Sequence, residues 1–398
     1  MKIVVVGYGT RGDVEPVAAV ARELLGRGHD VRVAVPPNLL GFVESAGLAA
    51  VAYGPDSRKE LATAGDLVGD PSTALRNPIG MFSTVMEHVG QVKAEKTATL
   101  KSLTEGADLL VAGFNEQGVA ANVAEYYGIA LAALHVFPAR LWISEGPAAV
   151  IAKQTDDAQR HALGLPAATG PSASLEIQAY DELCLPGPVA QWVQSDQHGP
   201  ARPLVGALTL GLPAEADDEV LSWIADGTPP IYFGFGSTPI PSPDETVAVL
   251  SGACLELGER ALICSGPNDL TDTPDSHDVK VVGAVNHAAI FPACRAVVHH
   301  GGAGTTAAGL RAGMPTLIMS FWLDQPVWAA GVTRLQVGLG RAFYDSTFDS
   351  LVDDLQTVLA PHCATRAREV ASQMTTAAQS LARAGDLLED AVRRGRTG

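Results

Sequence analysis

Two glycine-rich stretches hold the residue types that could do chemistry. The first, Gly7-Tyr8-Gly9-Thr10-Arg11-Gly12-Asp13, follows a short β-branched run and leads into a helical pattern. The second, His299-His300-Gly301-Gly302-Ala303-Gly304-Thr305-Thr306, places two imidazoles before another helical pattern, with Asp324-Gln325 further on. Small residues let backbone amides approach an anion, and a helix N-terminus favours negative charge. The second stretch therefore reads as a phosphate cradle, with a plain structural turn as the alternative. It is not a Walker loop, since no Gly-Lys-Ser/Thr is present. The paired histidines have no third ligand at a useful spacing, so no metal site is expected.

The first stretch has the form G-x-G-x-x-G of a dinucleotide loop. That mechanism needs a carboxylate at the end of the second strand to hold the ribose hydroxyls. Here the second strand ends Ala34-Val35-Pro36-Pro37, without one. Dinucleotide binding is therefore disfavoured. Asp13 has two readings. It caps the helix at Val14, or it is a carboxylate at the carboxyl edge of a parallel sheet, where ligands bind in such folds.

The elements that position these loops are legible from continuous apolar runs. Strands are expected at 3–6, 30–35, 109–112 and 129–134, with a helix over 14–27. The pattern recurs at 231–235, 261–264, 279–282, 296–299 and 316–319, with helices between, among them one over 305–311. Ser242-Pro243 is expected to open a helix as cap and first helical position. Strands alternating with helices predict parallel sheets buried on both faces. Two such sets predict an α/β chain of two doubly wound domains, 1–210 and 211–398. The boundary follows the turn-rich 195–203, and the segment after Pro361 reads as one or two amphipathic helices.

Composition narrows the partners. The 398 residues are 47% hydrophobic and 18% charged, enough to bury large cores. Lys and Arg number 27 against 44 Asp and Glu, a net charge of −17. Nucleic acid requires cations to displace counterions, and an anionic membrane repels an acidic surface. Nucleic acid is excluded as a main partner, and membrane contact is at most peripheral. No apolar run reaches the roughly 18 residues of a spanning helix. The opening residues lack a signal peptide, and five widely spaced cysteines form neither a disulfide framework nor a zinc pattern. A cytoplasmic protein with reduced thiols is expected.

With these residues in view, the chain resembles the family 1 glycosyltransferases of GT-B fold, in their actinobacterial glycopeptide, glycopeptidolipid and sterol branch. His300, Gly302, Thr305, Gly313, Pro315 and Asp324-Gln325 follow the spacing of the family's donor signature. The opening Gly9-Thr10-Arg11-Gly12-Asp13-Val14-Glu15-Pro16 looks like that branch's first loop, and Phe235-Gly236-Ser237 like its second phosphate-side loop. The likeness spans most of the chain.

The resemblance implies two Rossmann-like domains facing across a cleft, with the last helix crossing back to the N-terminal domain. It implies inverting, metal-independent transfer of a hexose from a UDP- or dTDP-sugar to a hydroxyl of a hydrophobic small molecule, such as a natural product, antibiotic, glycolipid or sterol. The nucleotide sugar is a co-substrate, and no cofactor is expected. Carried over by position, Asp13 is the base. Thr10, Arg11, Gly12, Ser237, Val285, His300, Gly301, Gly302, Gly304, Thr305, Asp324 and Gln325 hold the donor. Asp324 also has a structural reading as a helix cap before Pro326. Two departures concern the nucleoside: Val285-Asn286-His287 stands where plant-type members stack a Trp, and Ala308 where they hold the ribose with Glu. The acceptor would meet residues of 55–90 and 135–155, with Met81, His135 and Phe137 as candidates; Phe82, Met86 and Trp142 add to that apolar character, as core packing also would. Residues 138–153 are short for a region that in relatives carries acceptor-side helices. A nucleotide-sugar epimerase of GT-B form and a silent glycosyltransferase-like auxiliary protein are the alternatives.

Overall fold

Ile3, Val4, Val5 and Val6 are fully buried. The strand they form, β1 (Lys2–Val6), is covered on both faces, which is why it reads as an unbroken apolar run. Each such side chain contributes about 1.5–3 kcal/mol over its exposed state. The computed structural model describes residues 1–60, 78–138, 147–168, 173–185, 187, 201–268 and 276–395. These divide into two units: Met1–Ala179 with Val193–Leu210 and Ala378–Gly398, and Tyr180–Trp192 with Gly211–Ala377.

In unit 1, β1 is joined by β2 (Asp30–Val35), β3 (Ala50–Ala52), β4 (Leu109–Ala112), β5 (Ala130–His135) and β6 (Leu175–Gln178). The sheet order is β3-β2-β1-β4-β5-β6. All pairings are parallel, with Val5 opposite Val33 on one side and Val111 on the other. The helix Arg11–Gly26 lies on this sheet through Val14, Val17, Val20, Ala21 and Leu24, all essentially buried.

Unit 2 contains β7 (Ile231–Gly234), β8 (Ala261–Cys264), β9 (Val279–Val282), β10 (Ala296–His299), β11 (Thr316–Ser320) and β12 (Gly338–Ala342). Its order is β12-β11-β10-β7-β8-β9, again parallel. Phe233, Val298, Leu317, Leu351 and Leu355 belong to the core on one face. Tyr232, Leu262, Val297 and Phe291 belong to the core on the other. Both units are doubly wound, as expected.

Three strands escaped the sequence reading. β3 has only three residues. β6 alternates polar and apolar side chains yet is wholly buried, with Glu176 bonded to Arg202 at 3.2 Å. β12 begins and centres on glycines, which suggest a turn; a Cβ on Gly338 would lie 1.7 Å from the Thr316 carbonyl oxygen of the neighbouring strand. The helix expected over 14–27 starts earlier, at Arg11, and the strand expected at 129–134 runs one residue later. Ser242 is the cap residue of Pro243–Glu256, but its side chain makes no capping bond.

The final segment forms the helices Pro361–Ala371 and Ala377–Gly395. The latter returns to unit 1. Arg27 donates to Asp386 at 2.7 Å and to the Ala382 carbonyl at 2.8 Å, and His29 meets Glu389 at 2.8 Å.

Candidate functional site

In each sheet the connections reverse direction once, between β1 and β4 and between β7 and β10. Ligands in doubly wound folds bind outside the carboxyl ends of the strands at that point. Both glycine-rich stretches emerge there.

In unit 1, Gly7 lets helix and strand approach closely, since a Cβ there would sit 2.6 Å from Val17 Cγ2. Gly9 has φ +130°, and its missing side chain leaves room for the Asp13 carboxylate: a Cβ would lie 2.3 Å from Oδ2. Thr10 is the helix cap residue. Its amide donates to Asp13 Oδ2 at 2.7 Å and its hydroxyl to the same oxygen at 3.1 Å. Asp13 is thus the third helical residue bonding backwards, which corrects the expectation that it caps the helix itself. Oδ1 accepts from Asn115 Nδ2 at 3.3 Å, and the same Nδ2 donates to the Tyr8 carbonyl at 3.0 Å. Burial pushes the Asp13 carboxyl above its ordinary value, against the opposing bonds from Thr10 and Asn115.

Arg11 leans on Glu15 at 3.1 Å, with its guanidinium 4.7 Å from the Phe42 ring centre. Gly12 is exposed beside it. His135 ends β5 and is buried. Phe114, from the loop after β4, sits 6.5 Å from His135 and 4.9 Å from Phe137, ring centre to ring centre. His135, Phe137, Phe114, Asn115 and Asp13 are therefore brought to the carboxyl edge of β1, β4 and β5. Met81 and Phe82 lie on the helix Pro78–Thr104 where only the backbone is described, and Trp142 lies outside the described residues.

Sequence reasoning missed Asn115 and the group beneath it. Glu116 is buried and bonds Lys96 at 2.7 Å and the Tyr53 hydroxyl at 2.5 Å. The Lys96 ammonium lies 3.3 Å from the Tyr8 ring centre. A buried Lys–Glu pair thereby anchors both loops of the switch point, at a desolvation cost only close pairing offsets. The one signal was a polar Asn-Glu pair separated by two residues from a buried apolar strand.

In unit 2, the loop after β7 touches the loop after β10. A Cβ on Gly236 would fall 2.6 Å from His300 Cε1, and Ser237 is exposed next to it. Burial lowers the His300 imidazole to about 4, against a bond to the Gly234 backbone, so the ring is neutral at pH 7. His300 is then a neutral hydrogen-bonding group. His299 is fully buried, and burial holds it well below the usual histidine range. Its Nδ1 accepts from the Gly301 amide at 2.9 Å. Gly301, at φ +94°, has no room for a side chain, because a Cβ would meet Ile318 Cγ2 at 2.7 Å. The Gly301 amide is thus committed to His299. Gly302 caps the helix Ala303–Arg311, whose amides at Ala303, Gly304 and Thr305 head the first turn without intrahelical acceptors.

Val285 is buried in the core with Tyr232, Ile290 and Phe291. Asp324 is the cap residue of Gln325–Arg334, yet its side chain makes no capping bond. Its Oδ2 instead accepts from the Trp328 indole at 2.6 Å. Gln325 is buried, and its Oε1 accepts from the amides of Phe321 at 2.7 Å and Trp322 at 3.2 Å.

The glycosyltransferase family 28 N-terminal domain model matches residues 3–99, and the erythromycin biosynthesis protein CIII-like C-terminal domain model matches 262–387. A Mycobacterium tuberculosis (strain H37Rv) protein named as an uncharacterized glycosyltransferase is 54% identical over the whole of both chains. The vancomycin aglycone glucosyltransferase of Amycolatopsis orientalis is 30% identical, covering 99% of this chain and 98% of its own. Among solved structures, the glycosyltransferase of kitacinnamycin superposes with a TM-score of 0.70 at 19% identity, over 98% of each chain. The glycosyltransferase VinC in complex with dTDP gives 0.66 at 18% identity, over 100% of each. These two share the fold.

Proposed function

Because the chain belongs to the glycosyltransferase family, with the GT-B fold, we propose that it moves a hexose from a UDP- or dTDP-sugar to a hydroxyl of a hydrophobic small molecule, with inversion and without a metal. The observation that carries this reading is the edge of unit 2. Free first-turn amides at Ala303–Thr305, neutral His300 and the Asp324-Gln325 pair occupy the carboxyl ends of adjoining strands. Amides and imidazole suit a diphosphate, and a carboxylate beside an amide donor suits sugar hydroxyls.

In the reaction proposed, the acceptor oxygen attacks the anomeric carbon as the bond to the diphosphate oxygen breaks. Asp13 takes the acceptor proton, and a single displacement inverts the centre. A base is needed only as the new bond forms, because a free hydroxyl is a weak acid. The raised Asp13 carboxyl suits that duty better than a fully stabilised carboxylate. Negative charge growing on the leaving diphosphate meets donors fixed beforehand, where a metal would otherwise serve. The exposed Phe114 ring beside Phe137 supports an apolar acceptor. The absence of an Asp-x-Asp pair supports metal independence.

The test is nucleoside diphosphate release from a panel of UDP- and dTDP-hexoses, with glycolipid, sterol and glycopeptide aglycone acceptors. Product with inverted anomeric configuration is expected, unaffected by a chelator. Failure to bind either nucleoside diphosphate by calorimetry would defeat the proposal.

A further inference from the structure

We propose that Trp328 is a positioning residue that aims the Asp324 carboxylate at the donor sugar, and so sets sugar recognition separately from nucleotide binding. This rests on the reading above that Asp324 meets the sugar. An aspartate at a helix cap position ordinarily accepts from the amides of the first turn. Asp324 does not; its Oδ2 is drawn one turn along the helix to the Trp328 indole, 2.6 Å away. That indole is 2% exposed and packs edge-to-face on Tyr180, ring centres 5.9 Å apart, with Tyr180 also buried. The orientation of a half-buried carboxylate is thereby dictated by a ring fixed in the core.

The neighbouring backbone is held in the same way. Leu323 has φ +53°, a left-handed conformation that a leucine adopts only under constraint. The constraint is visible on both sides. Gln325 Oε1 ties down the amides of Phe321 and Trp322, and Trp328 ties down Asp324. Phe321 stacks on Phe343 at 4.2 Å. The turn thus presents a carboxylate and an amide donor at fixed angles, the arrangement that reads a pattern of sugar hydroxyls. A phenylalanine would keep an aromatic ring there but not the indole's full volume, so the change removes the N–H together with part of the packing.

Trp328→Phe keeps an aromatic ring and removes the donor, avoiding the orphaned indole N–H that Asp324→Ala would leave buried. The expected result is a rise in the KM for the preferred nucleotide sugar of roughly tenfold, about one hydrogen bond to a charged group, with poorer discrimination between epimeric sugars. Affinity for the free nucleoside diphosphate should stay within about twofold, while the smaller ring should lower the melting temperature by a few degrees without loss of the fold. In a ¹⁵N-indole spectrum the Trp328 resonance should lie downfield and shift in Asp324→Asn. A Trp328→Phe enzyme with unchanged sugar KM and selectivity overturns the proposal. So does one that loses free nucleotide and nucleotide sugar affinity equally, or an indole resonance indifferent to Asp324. If the wild-type protein takes no nucleotide sugar at all, the transferase reading falls first and this role falls with it.

Discussion

Asp13 holds its loop in shape and, in the proposed reaction, is the base, and substitution can separate the two. Asparagine keeps an oxygen to accept from the Thr10 amide but cannot take a proton. Asp13→Asn should lower turnover by roughly 10² or more, with melting temperature and donor affinity nearly unchanged. An active Asn variant would leave Asp13 a structural residue and move the search for a base to His135. The pH profile adds a sign. In the proposed reaction the carboxylate is the working form, and burial raises its pKa, so kcat/KM should climb with pH through a value above the ordinary carboxylate range. The Asn115 bond lowers that pKa, so Asn115→Ala should push the acid limb higher still; an unmoved limb would contradict the geometry. The sequence exposed Asp13 through motif spacing but concealed Asn115, because hydrogen bonds between distant loops leave no local pattern. It also concealed the state of His300, whose charge depends on burial. His300→Ala should weaken UDP or dTDP binding in calorimetry through loss of a neutral hydrogen-bonding group; equal affinity would remove it from the site.

Loops and strands were legible in proportion to their apolar continuity. Residues 109–112 and 261–264 matched their strands because they are unbroken apolar runs, buried at every position but Cys264, whereas β6 and β12 hid behind polar and glycine residues. The contact between the two unit 2 loops could not be read at all. It yields a prediction: Gly236→Ala should displace the His300 ring, since the added methyl would come within 2.6 Å of it. Reduced nucleoside diphosphate affinity without loss of fold is expected, measured by calorimetry and circular dichroism. The His299–His300 element also titrates. Both imidazoles are depressed below the roughly 6.5 of an unfolded histidine. Between that value and about 4 the unfolded chain binds more protons, so stability is full above pH 6.5 and declines as pH falls. Melting temperatures recorded from pH 7.5 to 5 should drop, and a flat profile would mean that these rings are not buried in solution.

At the scale of the whole molecule, the two units have separate sheets and separate cores. A ligand that binds only the native form of one unit stabilises that unit by about 2.7 kcal/mol at a hundred times its Kd. Calorimetric melting with saturating UDP or dTDP should therefore raise the transition of unit 2 and leave that of unit 1 in place. An equal rise in both would show that the nucleotide is held by both units or that they melt as one. Repetition of the βα pattern made the two-unit plan visible in sequence. The exchange of Tyr180–Trp192 into unit 2 was not, since that stretch has no strand pattern to assign it to either sheet.

The helix Ala377–Gly395 completes unit 1, yet it leaves the ribosome only after all of unit 2 has been made. Domains generally acquire structure as they emerge. Here the earlier unit must wait, with the Arg27 and His29 side chains lacking Asp386 and Glu389 until unit 2 has been made. This helix therefore acts as a clasp fastened from beyond unit 2. A nascent chain truncated within unit 2 would carry an unfinished first unit, exposed to chaperones and proteases for the full time that the second takes to be translated.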